Sequence, residues 1–463
     1  GKFPSIFKTA RVCPIFKSGD ACNPDNYRPI AVLPCLSKII ERHIANSLYI
    51  FLNSNDLLNT TQSGFRPKHS CTTALTKLVD EWLANIDNGE INGVIFLDLK
   101  KAFDLVNHII LLKKLEYYNV SNCTLDWFKS YLFERSQQVK VNNVMSNTKC
   151  IKTGVPQGSI LGPLLFILYI NDLPLNIEHS LIDLYADDST LHCKGNNLLQ
   201  LTSNLQNDIH VIENWCSQNC MKLNAKKCKS MIVGSKQRLC STGNSLDINI
   251  SNEQIENVDC EKLLGLYIDK NLNWNQQIDK MSCTISNRIN LLQKIRKYLP
   301  MHIRIIYFNA YILPLFDYCC NIWGSCCESG INKLNKLLKK SARVIVEADI
   351  MTSSSLLFNS LHWLNVEKRI QYQKAILVFK SLNGMVPNYL QENFHFTDNQ
   401  NYNLRSADEK LLNLPKPKTI FLKKTFTYSG SQIWNSLPNE IKMSNTLVSF
   451  KTKCYKFFIN CAN

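Results

Sequence analysis

The 463 residues hold no apolar run long enough to cross a bilayer and no apolar leader, so the sequence offers neither a membrane span nor a secretory signal. With those signals missing, the 19 cysteines read as thiols of a reducing intracellular compartment, acting mostly as small buried hydrophobes. Internal repeats and low-complexity tracts are also missing, which sets aside repeat architectures and long linkers. No Cys-Cys-His-Cys knuckle occurs. Cys319-Cys320 and Cys326-Cys327 flank Asn321-Ile322-Trp323-Gly324-Ser325, but the spacing is not Cys-x2-Cys and no His stands beside them, so zinc is not expected there. Acid is in deficit: 37 Asp and Glu face 53 Lys and Arg, for a net charge of +16. That balance suits a partner with a phosphate backbone, although many basic proteins bind nothing specific. No clear basic import cluster stands out. Hydrophobic residues make up 45% of the chain, enough for two to four cored domains at this length.

What the chain does have is a short acidic signature. In Leu181-Ile182-Asp183-Leu184-Tyr185-Ala186-Asp187-Asp188-Ser189-Thr190-Leu191, the residues up to Tyr185 read as one strand and Ser189 to Cys193 as another. The acidic pair then falls at the tip of a tight hairpin. Adjacent carboxylates repel each other, and hard divalent cations would remove that cost. A third carboxylate ends the apolar run Gly93-Val94-Ile95-Phe96-Leu97-Asp98. A strand carrying Asp98 at its C-terminal end could lie beside the hairpin. Asp98, Asp187 and Asp188 could then hold two metals about 3.5–4 Å apart, the arrangement that nucleotidyl transfer uses. A lone Asp-Asp turn would read as solvated surface, but this one is accompanied.

Ile95-Phe96-Leu97-Asp98-Leu99-Lys100-Lys101-Ala102-Phe103-Asp104 resembles motif A of reverse transcriptases. Gly154-Val155-Pro156-Gln157-Gly158-Ser159-Ile160-Leu161-Gly162-Pro163 resembles motif B, and Tyr185-Ala186-Asp187-Asp188 motif C. Leu223-Asn224-Ala225-Lys226-Lys227-Cys228-Lys229 resembles motif D, and Leu263-Leu264-Gly265-Leu266-Tyr267-Ile268 motif E, the primer grip, with Leu264 and Gly265 at its centre. Asn26-Tyr27-Arg28-Pro29-Ile30 and Gln62-Ser63-Gly64-Phe65-Arg66 are similar to the fingers motifs of the non-LTR, jockey-type retrotransposon branch. Seven pieces in order, over residues 1 to about 345, make the resemblance specific.

The resemblance implies an RNA-directed DNA polymerase with two Mg²⁺ ions (Mn²⁺ as a substitute), an RNA template, a DNA primer or target, and dNTPs. It implies that the ring of Phe103 floors the sugar site and favours dNTP over rNTP, against the plainer reading of a core aromatic on a helix over 105–115. Asp104 reads as a cap of that helix, and Asn107 would cap it equally well. Gln157, in a loop rich in Gly and Pro, offers a donor and an acceptor to nucleotide and template. Lys17 and Arg28 are the candidates for the triphosphate, with Lys8, Arg11 and Lys38 competing. Lys227 is the candidate acid for pyrophosphate, although Lys226 and Lys229 beside it read equally as solvated.

The expected fold is α+β: a right-hand polymerase with fingers at 1–92, a palm with an antiparallel sheet at 93–272, and a helical, basic thumb at 273–345. Helices are expected near 36–52, 72–86, 164–170 and 200–217, with those of the palm on one side of the sheet. Residues 346–463 form a C-terminal tail region of unknown role; Trp434 reads as core, and Pro415-Lys416-Pro417 as loop. An element of this kind carries an endonuclease upstream. None is recognisable here, so the chain reads as a truncated copy or fragment that primes on a supplied 3′ end. The competing expectation is an inactive, truncated or domesticated copy that only binds nucleic acid. Nuclear and cytoplasmic ribonucleoprotein locations are implied by the family alone.

Overall fold

Ile91 to Leu97 set the architecture: every one of these side chains is buried, and only Asp98 at the end is half-buried. A run apolar on both alternating faces belongs in the middle of a sheet covered on both sides. The computed structural model describes residues 1–243, 245–349, 351–397 and 410–460. In chain order its strands are β1 (Thr9–Phe16), β2 (Tyr27–Val32), β3 (Ile91–Asp98), β4 (Arg135–Val141), β5 (Val144–Met145), β6 (Lys149–Ile151), β7 (Leu181–Tyr185) and β8 (Asp188–Gly195). They continue with β9 (Lys229–Val233), β10 (Asn249–Ile250), β11 (Glu253–Gln254), β12 (Glu256–Asn257), β13 (Cys260–Leu263) and β14 (Leu266–Asp269).

The principal sheet has the order β12-β9-β3-β8-β7, with β3 at its centre. β3 runs antiparallel to β8 and β9, and β7 runs antiparallel to β8. Helices cover both faces. Ile91, Ile95 and Leu97 share a core with Leu201, Leu205 and Ile209 of the helix Leu198–Gln218. Val94 and Phe96 share another with Leu75, Leu78 and Trp82 of the helix Cys71–Asp87. The helices within 93–272 share the first of these cores, and the helix on the other face, Cys71–Asp87, comes from the segment before residue 93; β3 has no polar face to turn to water. The helix Gly162–Tyr169 is buried at every residue but Pro163, as its apolar sequence requires.

A second sheet has the order β2-β1-β4-β5, with β6 on β4. β1 and β4 pair in parallel, Thr9 opposite Ser136, so residues 135–151 join the first 32 residues of the chain. Downstream, the helices Asn275–Ile295 and Glu328–Val346 pack on the far side of the core that contains Val94 and Phe96. No helix among the described residues is long and apolar enough to cross a membrane.

The C-terminal region has its own core, built on Phe379, Phe426, Trp434, Phe450 and Phe458. It is joined to the rest by polar anchors. Asp80 accepts hydrogen bonds from Phe426 N at 2.7 Å and Thr427 N at 2.8 Å, which ties it to the start of the helix Phe426–Ser436. Asp87 accepts from Lys418 N at 3.0 Å and Thr419 N at 2.7 Å. Arg369 makes two 2.6 Å bonds to Asp317.

Candidate active site

The acidic pair sits where β7 turns into β8. Tyr185 pairs with Asp188, leaving Ala186 and Asp187 as the two residues of the turn. Ala186 has φ +58°, a left-handed conformation that costs an alanine about 1 kcal/mol. The segment Gln62–Arg66 holds it there. Ser63 N donates to Leu184 O at 2.8 Å, and Leu184 N donates to Thr61 O at 3.0 Å, so this segment pairs with the outer edge of β7. Gln62 Oε1 accepts from Ala186 N at 3.1 Å and from Gly64 N at 2.7 Å. Gly64 lies so close that a Cβ on it would stand 2.2 Å from Ala186 N. Arg66 closes the segment on itself through Asn59 O at 2.8 Å.

Asp98 lies opposite Asp188 in the β3–β8 register. The turn leading to β9 clasps it. Asn224 Nδ2 donates to Asp98 Oδ2 at 3.0 Å, Lys227 Nζ stands 4.0 Å from the same oxygen, and Asn224 N donates to Asp98 O at 2.9 Å. Asp98 N donates to the buried Cys228 Sγ at 3.4 Å. Motifs A, C and D thus meet at one end of the sheet's central strands, at the C-terminal end of β3.

Asp187 and Asp98 raise the electrostatic cost of ionising Asp188. Asp188 is exposed at the start of β8. The protein packed around its carboxyl, and then repulsion from Asp187 and Asp98, push it up to about 6 against the pull of Lys17 and Arg28. Among the described residues no three His, Cys, Asp or Glu side chains already stand as a ligating group, and Asp98 is instead held by Asn224 and Lys227. The donor set is nevertheless hard, anionic oxygen under mutual repulsion, which fits a divalent cation such as Mg²⁺ that draws the carboxylates together.

Lys17 and Arg28 flank the β1–β2 hairpin, where Phe16 pairs with Tyr27 and Lys17 N donates to Asn26 O at 2.8 Å. Both side chains are exposed and both act on Asp188. Their competitor Lys8 is buried and stands 3.8 Å from Glu134, facing away from solvent. Phe103 is half-buried in the turn before the helix His108–Tyr117 and so is not on that helix. Its ring stacks on Phe166 at 4.4 Å and meets Phe65 edge-on at 6.2 Å. Asp104 does not cap the helix. Asn107 does, accepting from Ile109 N and Ile110 N at 2.9 and 3.2 Å, because the chain stays in turns until residue 107.

Asp104 Oδ1 accepts instead from Gln157 Nε2 at 3.0 Å. Gln157 is fixed a second time, its backbone O accepting from Ala31 N at 2.6 Å. Gly158, at φ +125°, lies against Ala31, where a Cβ would stand 2.3 Å from Ala31 O. Leu264 and Gly265, at φ +46° and +85°, form the two-residue turn between β13 and β14. The Tyr318 hydroxyl donates to Leu264 O. Leu263 and Leu264 line the same small cavity as Ser63, Tyr185 and Asp188.

Sequence reasoning missed the supports. Gln62 and Asn224 stood inside quoted motifs without a role. Glu41, whose Oε2 accepts from Ile160 N at 2.8 Å, and Tyr131, bonded to Ser159 Oγ at 2.8 Å, steady the motif B loop from two other helices. An acid within the apolar helix Cys35–Ser54 was the one visible signal for Glu41.

The family model described as "Reverse transcriptase (RNA-dependent DNA polymerase)" matches residues 15–285, more than half of the chain. The RNA-directed DNA polymerase from mobile element jockey of Drosophila melanogaster is 30% identical over 356 residues, 74% of this chain and 38% of that protein. The probable RNA-directed DNA polymerase from transposon BS of the same species is 29% identical over 385 residues, 80% of this chain and 41% of that protein. This chain therefore spans about two fifths of the curated relatives it matches. Among solved structures, apo telomerase from Candida tropicalis aligns with a TM-score of 0.44 at 12% identity, covering 83% of this chain and 69% of that one.

Proposed function

We propose that this chain, which belongs to the reverse transcriptase (RNA-dependent DNA polymerase) family, supplies the polymerase of a non-LTR retrotransposon and joins dNTPs to a primer 3′-hydroxyl on an RNA template. The observation that carries the proposal is the register of Asp98 against Asp188, with Asp187 in the adjoining turn. Held by these carboxylates, two Mg²⁺ ions would supply a more acidic primer hydroxyl and neutralise charge on the triphosphate. The residues of the chain do the rest. Asn224 aims Asp98. Gln62 and Gly64 set the turn that presents Asp187 and Asp188. Lys17 and Arg28 bring positive charge to the triphosphate side, and Lys227, 4.0 Å from Asp98, donates a proton to pyrophosphate. Phe103, braced by Phe166, floors the sugar site, and Gln157 with Asp104 borders it. The turn Leu264-Gly265 guides the primer end. The division into fingers 1–92, palm 93–272, thumb 273–345 and C-terminal region 346–463 belongs to the same proposal, as do the RNA template, the DNA primer and the upstream endonuclease of the whole element.

The test is primer extension on an RNA template annealed to a DNA primer, with Mg²⁺ and either dNTPs or rNTPs. Asp187→Asn removes several kcal/mol of metal-dependent stabilisation, a loss on the order of a thousandfold in rate. Extension with dNTPs that survives this change would overturn the metal assignment. Extension with rNTPs at the same rate would overturn the role of Phe103. Salt-sensitive RNA binding without any extension would support the binding-only reading.

A further inference from the structure

Tyr389 lies well beyond residue 285, where the family match ends, yet it stands against the support of the catalytic turn. It belongs to the short helix Asn388–Gln391, which rests on the helix Cys71–Asp87. Its hydroxyl shares a hydrogen bond with Ser63 Oγ at 3.2 Å. Its ring lies beneath the Lys77 ammonium, 5.7 Å from nitrogen to centroid, and meets His69 edge-on at 5.9 Å.

Both contacts lead to β7. Ser63 N donates to Leu184 O, and its neighbours Gln62 and Gly64 fix Ala186. Lys77 Nζ donates to Asp183 Oδ1 at 2.6 Å, and the other oxygen of Asp183 meets His192 Nε2 of β8 at 3.0 Å. Burial opposes ionisation of Asp183, but the His192 and Lys77 contacts outweigh it and hold the carboxylate below its ordinary range. One aromatic side chain from the C-terminal region thus touches both braces of the strand pair that carries Asp187 and Asp188.

That region is itself anchored. Asp80 and Asp87, on the same helix as Lys77, receive the starts of its helices. The enclosed Lys374 donates to Ser429 Oγ at 2.7 Å and feels Asp80. The Tyr389 contact is therefore held at a fixed place and is not a loop brushing the surface.

We infer that Tyr389 is a positioning residue for Asp187 and Asp188, and that the C-terminal region serves the active site as a buttress of the β7–β8 hairpin. The kinetic part of this inference rests on the polymerase reading; the structural part does not.

The experiment uses the full chain with Tyr389→Phe, Ser63→Ala, the double variant and Tyr389→Ala. Three quantities are read: hydrogen exchange of the 181–190 segment without metal, Mn²⁺ affinity by titration, and kcat and KM for dNTP in primer extension. Losing a single neutral hydrogen bond supports a change of about two- to tenfold. Tyr389→Phe is expected to speed exchange of the segment, to weaken Mn²⁺ by that factor and to lower kcat while leaving the dNTP KM in place. The double variant is expected to be no worse than Tyr389→Phe, since the Ser63 contact is lost in both single changes and the Thr73 contact in Tyr389→Phe alone. Tyr389→Phe behaving as wild type in exchange and Mn²⁺ affinity would overturn the inference, as would additive effects in the double variant. If Tyr389→Ala does not fold, Tyr389→Phe still decides. A wild-type chain that binds Mn²⁺ but extends nothing would remove the polymerase reading, and the exchange and affinity shifts would still support the buttress. A wild-type chain that binds no Mn²⁺ would remove the polymerase reading, and metal-free exchange of the 181–190 segment would alone decide the buttress.

Discussion

Asp188 is the residue whose chemistry is most exposed to test. The protein around it, then Asp187 and Asp98, lift its carboxyl to about 6 from an ordinary 3.8. The sign follows directly. A raised carboxyl disfavours the ionised form, so the metal-free fold bears a penalty that is absent below about 4, grows as pH rises from about 4 to about 6, and is constant above. A cation must displace the proton below that point, so Mn²⁺ affinity should fall by about tenfold for each pH unit below 6. Asp188→Asn should bind more weakly throughout and lose that break in the profile. A wild-type affinity that is flat between pH 7 and 5 would contradict the crowding of the three carboxylates. At this scale the sequence was readable where a residue's own chemistry announced it: adjacent acids in a turn, an acid closing an apolar strand. Asn224, which clasps Asp98, gave no such sign. A polar residue in a turn looks the same whether it bonds water or a catalytic neighbour, and only the pairing of β3 with β9 brings it to Asp98.

Among elements, helices and strands followed their apolar periodicity. The helices Cys35–Ser54, Cys71–Asp87 and Leu198–Gln218 lie within two residues of where their patterns placed them. The helix expected over 105–115 begins instead at His108, because Asn107, and not Asp104, satisfies its first amides. The segment Gln62–Arg66 shows what pattern reading omits. It is neither helix nor strand, yet it sets the edge of β7. Gly64→Ala places a methyl 2.2 Å from backbone of the turn, and backbone cannot swing aside as a long side chain can. Such overpacking costs about 1–3 kcal/mol, and the displaced atoms belong to the residue before Asp187. Primer extension should fall more than thermal stability does. Gly195→Ala is the control, since its methyl meets only ordinary contacts from 3.7 Å outward. Equal small losses in both variants would show that the turn tolerates displacement.

The whole molecule departs most from a linear reading. Residues 135–151 join a sheet with residues 9–32 through the parallel β1–β4 pair. Contacts across that separation leave no local trace, because strand periodicity names a face and not a partner. The C-terminal region likewise showed its core residue Trp434 but not its seat, which depends on Asp80, Asp87 and Arg369 meeting partners far along the chain. The net charge of +16 belongs to this scale too, and under the proposed function it predicts salt-sensitive attachment to a phosphate backbone. The central proposal is that Asp98, Asp187 and Asp188 jointly hold the metals for DNA synthesis on RNA. The most direct measurement is Mn²⁺ anomalous scattering from the chain bound to an RNA–DNA primer-template and a non-hydrolysable dNTP. Two peaks contacting these three carboxylates are the expected result. A single peak, or manganese held by other side chains, would contradict it.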